Sequence, residues 1–365
     1  MVTDLSLKTP IAISSDSYFT LEVLLVGGLS IIICAFSWMF FDKANSLNTI
    51  ANFAYSMAFI VNHPHFLSSY ILIYKDYKKK IFTKKRYFFS AVLVPILLLI
   101  ALGYALYYTN TTAMGHIVTA MYYLVGWHYV KQIFGFVIVS SAHRKQYYTN
   151  FERNVLLCNL FSIWFLSFLG THVGTSSFNF YGIPHQSLNL PRWILQLDQF
   201  FLALSFIAVV YIHVVKYIKT GLKPAPPAVA SFAALYVWYI PVLSHPGFLY
   251  LIPFFHSLQY LCFVWLFKKN QVQHDIIDLN GANMRAAWLK KFGGFAIAAL
   301  VLGALFFEFI PNYLDNLGLI PDKTMGTAPF LAAFILFINI HHYFIDNTIW
   351  RSDNEDAKKF LFTTT

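Results

Sequence analysis

Apolar runs of about 20 residues alternate along the chain with short polar connections, many of them basic. A helix needs about 20 residues to cross ~30 Å of hydrocarbon, so this pattern predicts membrane-spanning helices. Ten runs can be distinguished, at about 19–41, 50–74, 87–108, 113–139, 154–172, 193–215, 229–243, 247–267, 292–311 and 328–350. The seventh is short, so the expected number is roughly eight to ten. The runs are too long, and alternate too little, for the ~10-residue strands of a membrane barrel. The predicted fold is all-α: a polytopic helical membrane protein forming one domain over residues 1–365.

The connections show no internal repeat and no low-complexity tract. Residues 268–291 form the longest connection on the basic side, and a short surface helix is expected around Ala282–Lys290. The segment "GLKPAPPAV" (221–229) is a stiff, proline-rich lead into the seventh run. On the opposite side, residues 171–191 form the longest loop, which could fold over the helix ends.

Charge then orients the bundle. The net charge is +10, but the basic residues follow alternate runs: Lys75 to Arg86 the second, Arg144, Lys145 and Arg153 the fourth, Lys216, Lys219 and Lys223 the sixth. Lys268, Lys269, Arg285, Lys290 and Lys291 follow the eighth, and Arg351, Lys358 and Lys359 the tenth. The positive-inside rule places both termini and these loops in the cytoplasm. Topology and contact with anionic membrane lipids account for the excess charge, which leaves nothing to indicate a nucleic-acid partner. The expected location is a bacterial inner membrane, crossed many times.

Composition agrees: 58 % hydrophobic, 19 % aromatic and 12 % charged, against about 25 % charged in a soluble domain. Cys34, Cys158 and Cys262 lie within apolar runs and lack metal or redox spacing, so they read as packing residues. The first run follows about 18 residues carrying Asp4 and Asp16, without a basic leader, and reads as a retained helix. Trp193, Trp265, Trp288 and Trp350 fit an interfacial belt.

The histidines change the picture most. Of 13, six lie well inside predicted helices: His63 and His65 in the second, His128 in the fourth, His256 in the eighth, His341 and His342 in the tenth. At ~1.5 Å per residue they fall at one depth, and only on helices running in the same direction. Polar residues accompany them at helical spacing: Asn62 and Ser69 around His65, Lys131 and Gln132 after His128, Gln259 and Tyr260 after His256, Asn339 and Asp346 around His342. Residues three or four apart share a helix face, so each imidazole is expected to have a partner one turn away on its own helix. Pro64 should bend the second helix beside His65. A lone membrane histidine is usually an interhelical hydrogen-bonding group, and Lys131 with Asp346 would make a structural ion pair. Four helices carrying histidine at one level favour a shared site.

Such a site suits a metal: His65, His128, His256 and one of His341 and His342, with His63 in reserve. Asn62, Gln132, Gln259 and Asn339 are the expected supports around the ligands, and Asp346, Lys131 and Tyr260 the candidates for catalysis. Iron(II) with open positions would bind O2 and oxidise a lipophilic small molecule arriving from the bilayer. Copper and zinc are alternatives, although zinc hydrolysis would want a further carboxylate. A proton or ion transporter using the same His, Asp and Lys side chains is the second reading. A bis-histidine haem protein is the third.

The clustered HxxxH and HxxHH boxes of membrane desaturases are absent. The ordered segments "NHPHF", "GWHYVKQ", "PFFHSLQYLCFVW" and "IHHYFIDNTIWR" resemble instead the membrane-embedded bacterial β-carotene 15,15′-dioxygenases of the bacterio-opsin-related-protein type. The resemblance rests on Pro64-His65, His128, His256-Ser257 with Phe263-Val264-Trp265, and His341 followed by Asp346. It implies a multi-helix oxygenase with histidine-held non-haem iron. One departure stands out: Tyr260 occupies the place of the family's second histidine in the third segment, and His342 or His63 is available to replace it.

Overall fold

The computed structural model describes residues 21–40, 56–75, 77–174, 179–242, 251–277, 281–320, 325–351 and 353–362, together with residues 49, 52, 53, 248 and 249. The acidic N-terminal segment lies outside the described residues. Each apolar run is helical: α1 Leu21–Met39, α2 Ala58–Tyr74, α3 Lys85–Tyr107, α4 Thr111–His143, α5 Asn150–Gly170, α6 Arg192–Thr220, α7 Pro226–Val242, α8 Leu251–Asp275, α9 Asn283–Asn316 and α10 Pro329–Ile349. Seven of these are long and apolar enough to cross a membrane, and α7 is a shorter apolar helix. Of the two that remain, α2 has 17 residues, short for a span, and both α2 and α4 carry polar residues within the helix, among them His65 and His128. The chain is thus an all-α protein of the multi-pass membrane kind.

Local signals set several helix ends. Asn110 caps α4 by accepting from Ala113 N–H at 2.9 Å, and Thr149 with Glu152 forms a capping box on α5. Asp315, at the end of α9, accepts from the N–H groups of Phe330 and Leu331 at 2.8 and 3.0 Å, so the start of α10 is capped from a neighbouring helix. The surface helix expected around 282–290 is not a separate element. The helix Gly281–Trp288 continues through a wide turn at Leu289–Gly293 into Gly294–Ala304 and is the first part of α9, because the stretch contains no proline or cap to stop it.

The basic connections gather at one end of the bundle. There Arg86 meets Asp353 at 3.1 Å, Arg144 meets Glu22 at 3.1 Å, and Lys80 pairs with Asp356. The C-terminal turn is held by the His143 ring on the Leu361 carbonyl (2.8 Å) and by Asn270 on the Phe360 carbonyl (2.7 Å). At the other end, the loop after α5 folds over the helices as expected. Its two-residue strands, Asn179–Phe180 and Ile183–Pro184, pair antiparallel, and Gln186 exchanges hydrogen bonds with Thr119 of α4. Between these ends, α2 packs on α8, α9 and α10, while α4 packs on α5, α7 and α10. That arrangement turns one face each of α2, α4, α8 and α10 toward a common interior.

Candidate metal centre

His65 of α2, His128 of α4, and His342 and Asp346 of α10 meet in that interior, all buried, with one potential ligand atom from each within 4.8 Å of the others. Asp346 Oδ2 lies 3.3 Å from His342 Nε2 and 3.8 Å from His128 Nε2. His256 of α8 joins the flank, its Nε2 3.2 Å from His128 Nε2. Ligands placed ~2.0–2.1 Å from one cation stand about 3.0–3.4 Å apart; the His342–Asp346 pair already has this spacing, and the wider pairs, up to 4.8 Å, would draw in around the ion.

The hydrogen-bond balance points the same way. His65 Nε2, both nitrogens of His342, His256 Nδ1 and Asp346 Oδ2 are buried without a partner among the described residues. A buried polar atom left unsatisfied costs about 1–3 kcal/mol, so several converging on one point need an explanation. Two Nε2 atoms facing each other at 3.2 Å share at most one proton, and a cation would satisfy one lone pair each from His65, His128, His342 and Asp346.

The surroundings fix the ligands, and they do so across helices. His65 Nδ1 is 2.6 Å from Ser257 Oγ of α8. Asp346 Oδ1 accepts from Ser69 Oγ at 2.6 Å and from Tyr260 OH at 2.9 Å, while Trp350 Nε1 donates to Tyr260 OH at 2.9 Å. With Oδ1 occupied, the free Oδ2 faces the imidazoles. The wide turn Leu24–Gly28 in α1 leaves the Val26 carbonyl to accept from Gln259, whose Oε1 accepts from Gln132 at 2.9 Å. Gln132 also donates to the His256 carbonyl at 3.1 Å. Asn339 accepts from Tyr343 OH at 2.9 Å, and the Tyr343 ring stacks on His128 at 4.9 Å.

Several expectations need correction. The polar neighbours do not serve the histidine of their own helix. Ser69 serves Asp346, Gln132 serves α8, and only the His342–Asp346 pair keeps the i, i+4 relation. Of the paired histidines, His342 enters the centre, and His341 turns away to donate to the Ser90 carbonyl at 2.9 Å. The two are about 100° apart on the helix, so both cannot face one point. His63 faces α9, stacked on Phe307 at 4.4 Å with Nε2 4.0 Å from Glu308 Oε1. Asn62 is half-buried, its Oδ1 without a hydrogen-bond partner among the described residues.

Lys131 is exposed, its ammonium 6.0 Å from the centre of the Phe161 ring, so it neither pairs with Asp346 nor reaches the centre. Lys131→Gln is therefore expected to leave metal content unchanged, as measured by elemental analysis. Trp350, read from sequence as an interfacial anchor, belongs instead to the Asp346–Tyr260 chain. Its spacing of four residues from Asp346 was the available signal.

No family model matches the chain, and no curated protein or solved structure matches it either.

Proposed function

We propose that the protein is a membrane oxygenase that holds one non-haem iron ion through His65, His128, His342 and Asp346, with His256 adjoining. The observation that carries this reading is the convergence of unpartnered imidazole nitrogens with one carboxylate oxygen inside the bundle. Several histidines with a single carboxylate and no thiolate suit iron(II) that keeps an open position for O2, and such iron activates O2 toward an organic substrate. Copper and zinc are the alternatives by ligand type. The buried apolar setting suits a lipophilic substrate entering from the bilayer, with the ten helices all spanning and both termini on the cytoplasmic side. The resemblance of the four histidine segments to bacterial β-carotene dioxygenases supports the same chemistry.

The residues of the chain have separable parts to play. Asp346 supplies the negative charge that favours a cation. Tyr260, Ser69 and Trp350 fix its orientation, and Ser257 fixes the tautomer of His65. The imidazole rings touch edge to face at 4.5–4.9 Å, which leaves no room for a porphyrin between them and argues against haem. The Ser69–Asp346–Tyr260–Trp350 chain is the feature that would favour a proton-relay transporter.

Metal analysis with a visible spectrum, followed by O2 uptake with membrane lipid extracts, separates these readings. Stoichiometric iron, no Soret band and uptake dependent on the extract are expected. Metal-free protein as isolated, taking up no iron on anaerobic reconstitution, would sink the proposal. Tyr260→Phe removes one of the two donors to Asp346 and leaves Trp350 without its acceptor. It is expected to weaken iron binding about 10–100-fold, measured by competition with a chelator.

A further inference from the structure

Away from the metal centre, a second built feature lies at the basic end of α4–α7. A polar depression of about 210 Å³, lined by Lys145, Tyr148, His213, Lys216 and Thr220, adjoins an apolar groove of about 390 Å³. The two share Tyr148, His213 and Pro224. Val137, Leu156, Phe206, Val210 and Phe232 line the groove. His213, Val210 and Phe206 lie on one face of α6, and Phe206 is about 10 Å further from the basic end than His213. The groove therefore runs from the polar depression toward the middle of the helices.

The frame of the depression is already satisfied. Lys216 donates to Glu152 at 3.0 Å and lies over the Tyr148 ring at 4.4 Å. His213 Nδ1 donates to the Val209 carbonyl at 2.8 Å, so its Nε2 is placed to accept from Tyr148 OH at 3.1 Å. Gln146 donates to the Lys223 carbonyl and ties the α4–α5 connection to the α6–α7 connection. Lys145 differs from these. It is exposed and sits just beyond the end of α4 in the left-handed conformation (φ 58°), a position that glycine usually takes. It lines the depression, and Lys219 and Lys223 of the neighbouring α6–α7 stretch are exposed as well.

We propose that this feature binds one phospholipid with an anionic headgroup: the phosphate region rests against Lys145 at the polar depression, and an acyl chain lies in the groove along α6 and α7. Charge complementarity selects the headgroup, because the cations outnumber the one carboxylate, Glu152, which is already held by Lys216. The apolar groove opening beside the same histidine and tyrosine requires an amphiphile, not a free phosphate. The inference depends on the helices spanning a bilayer and is independent of the metal.

The test uses the full chain in phosphatidylcholine nanodiscs containing a small fraction of phosphatidylglycerol with a photoreactive acyl chain, the cross-links being mapped by peptide mass spectrometry. Labelling is expected to concentrate on peptides containing Phe206, Val210 and Phe232. A phosphatidylcholine version of the probe should label them several-fold less. Lys145→Gly should remove that preference without lowering the melting temperature, since glycine suits the left-handed position, and Lys145→Arg should retain it. Equal labelling by both probes, labelling spread evenly over the lipid-facing helices, or an unchanged preference in Lys145→Gly would overturn the site.

Discussion

Purified protein is expected to carry close to one iron per chain, and His128→Ala and Asp346→Asn to lose it. Structural metal sites with four protein ligands bind with about 10–16 kcal/mol, so each ligand accounts for about 3 kcal/mol, or roughly 100-fold in affinity. His128 is the stringent choice among the imidazoles, because its Nε2 neighbours both His256 Nε2 and Asp346 Oδ2. Asp346→Asn carries a further prediction with a change of sign. In the metal-loaded protein the substitution should lower the melting temperature, since bound metal stabilises the folded state by mass action. In chelator-treated protein it should be neutral or stabilising, because the native carboxyl is then a buried polar group whose Oδ2 has no hydrogen-bond partner among the described residues. A purely structural Asp346 would destabilise on substitution in both conditions, and thermal melts with and without chelator separate the two cases.

The second large effect concerns Gly126, one turn or less before His128. A Cβ there would lie 1.7 Å from Trp164 Nε1 and 1.9 Å from its Cδ1. Trp164 of α5 is buried and stacks on Phe165 at 4.3 Å, so the rigid indole has nowhere to go. Gly126→Ala is expected to cost about 1–3 kcal/mol, and Gly126→Val more, as α4 is pushed off α5. The displacement should also move His128, so metal content should fall together with the melting temperature. Gly135, on the same helix with no atom near its notional Cβ, is the control: Gly135→Ala should leave metal content unchanged.

Much of this architecture was legible along the chain. The apolar runs are helical across the described residues because run length and the absence of breakers are local properties. Depth was legible too, since counting residues from helix ends put His65, His128, His256 and His342 on one level, and the fold brings them together. Azimuth was not. Helical spacing paired Asn62 with His65 and Gln132 with His128, whereas His65 bonds Ser257 and Gln132 bonds the His256 carbonyl and Gln259, all on α8. The expected Lys131–Asp346 pair failed for the same reason: spacing on α4 fixes which residues share a face but not which face is turned inward.

The sequence by itself determined the all-α membrane character, the clustering of basic loops and the level of the histidines, because each depends on hydrophobicity and rise per residue. Only the tertiary structure decided that His342 enters the centre while His341 bonds Ser90, that Asp346 is oriented by Ser69 and Tyr260, and that Trp350 joins them. Those choices depend on the rotation of each helix about its axis. Rotation is set by close approaches such as Gly126 on Trp164 and Gly27 on the Ala230 carbonyl, between residues far apart in the chain.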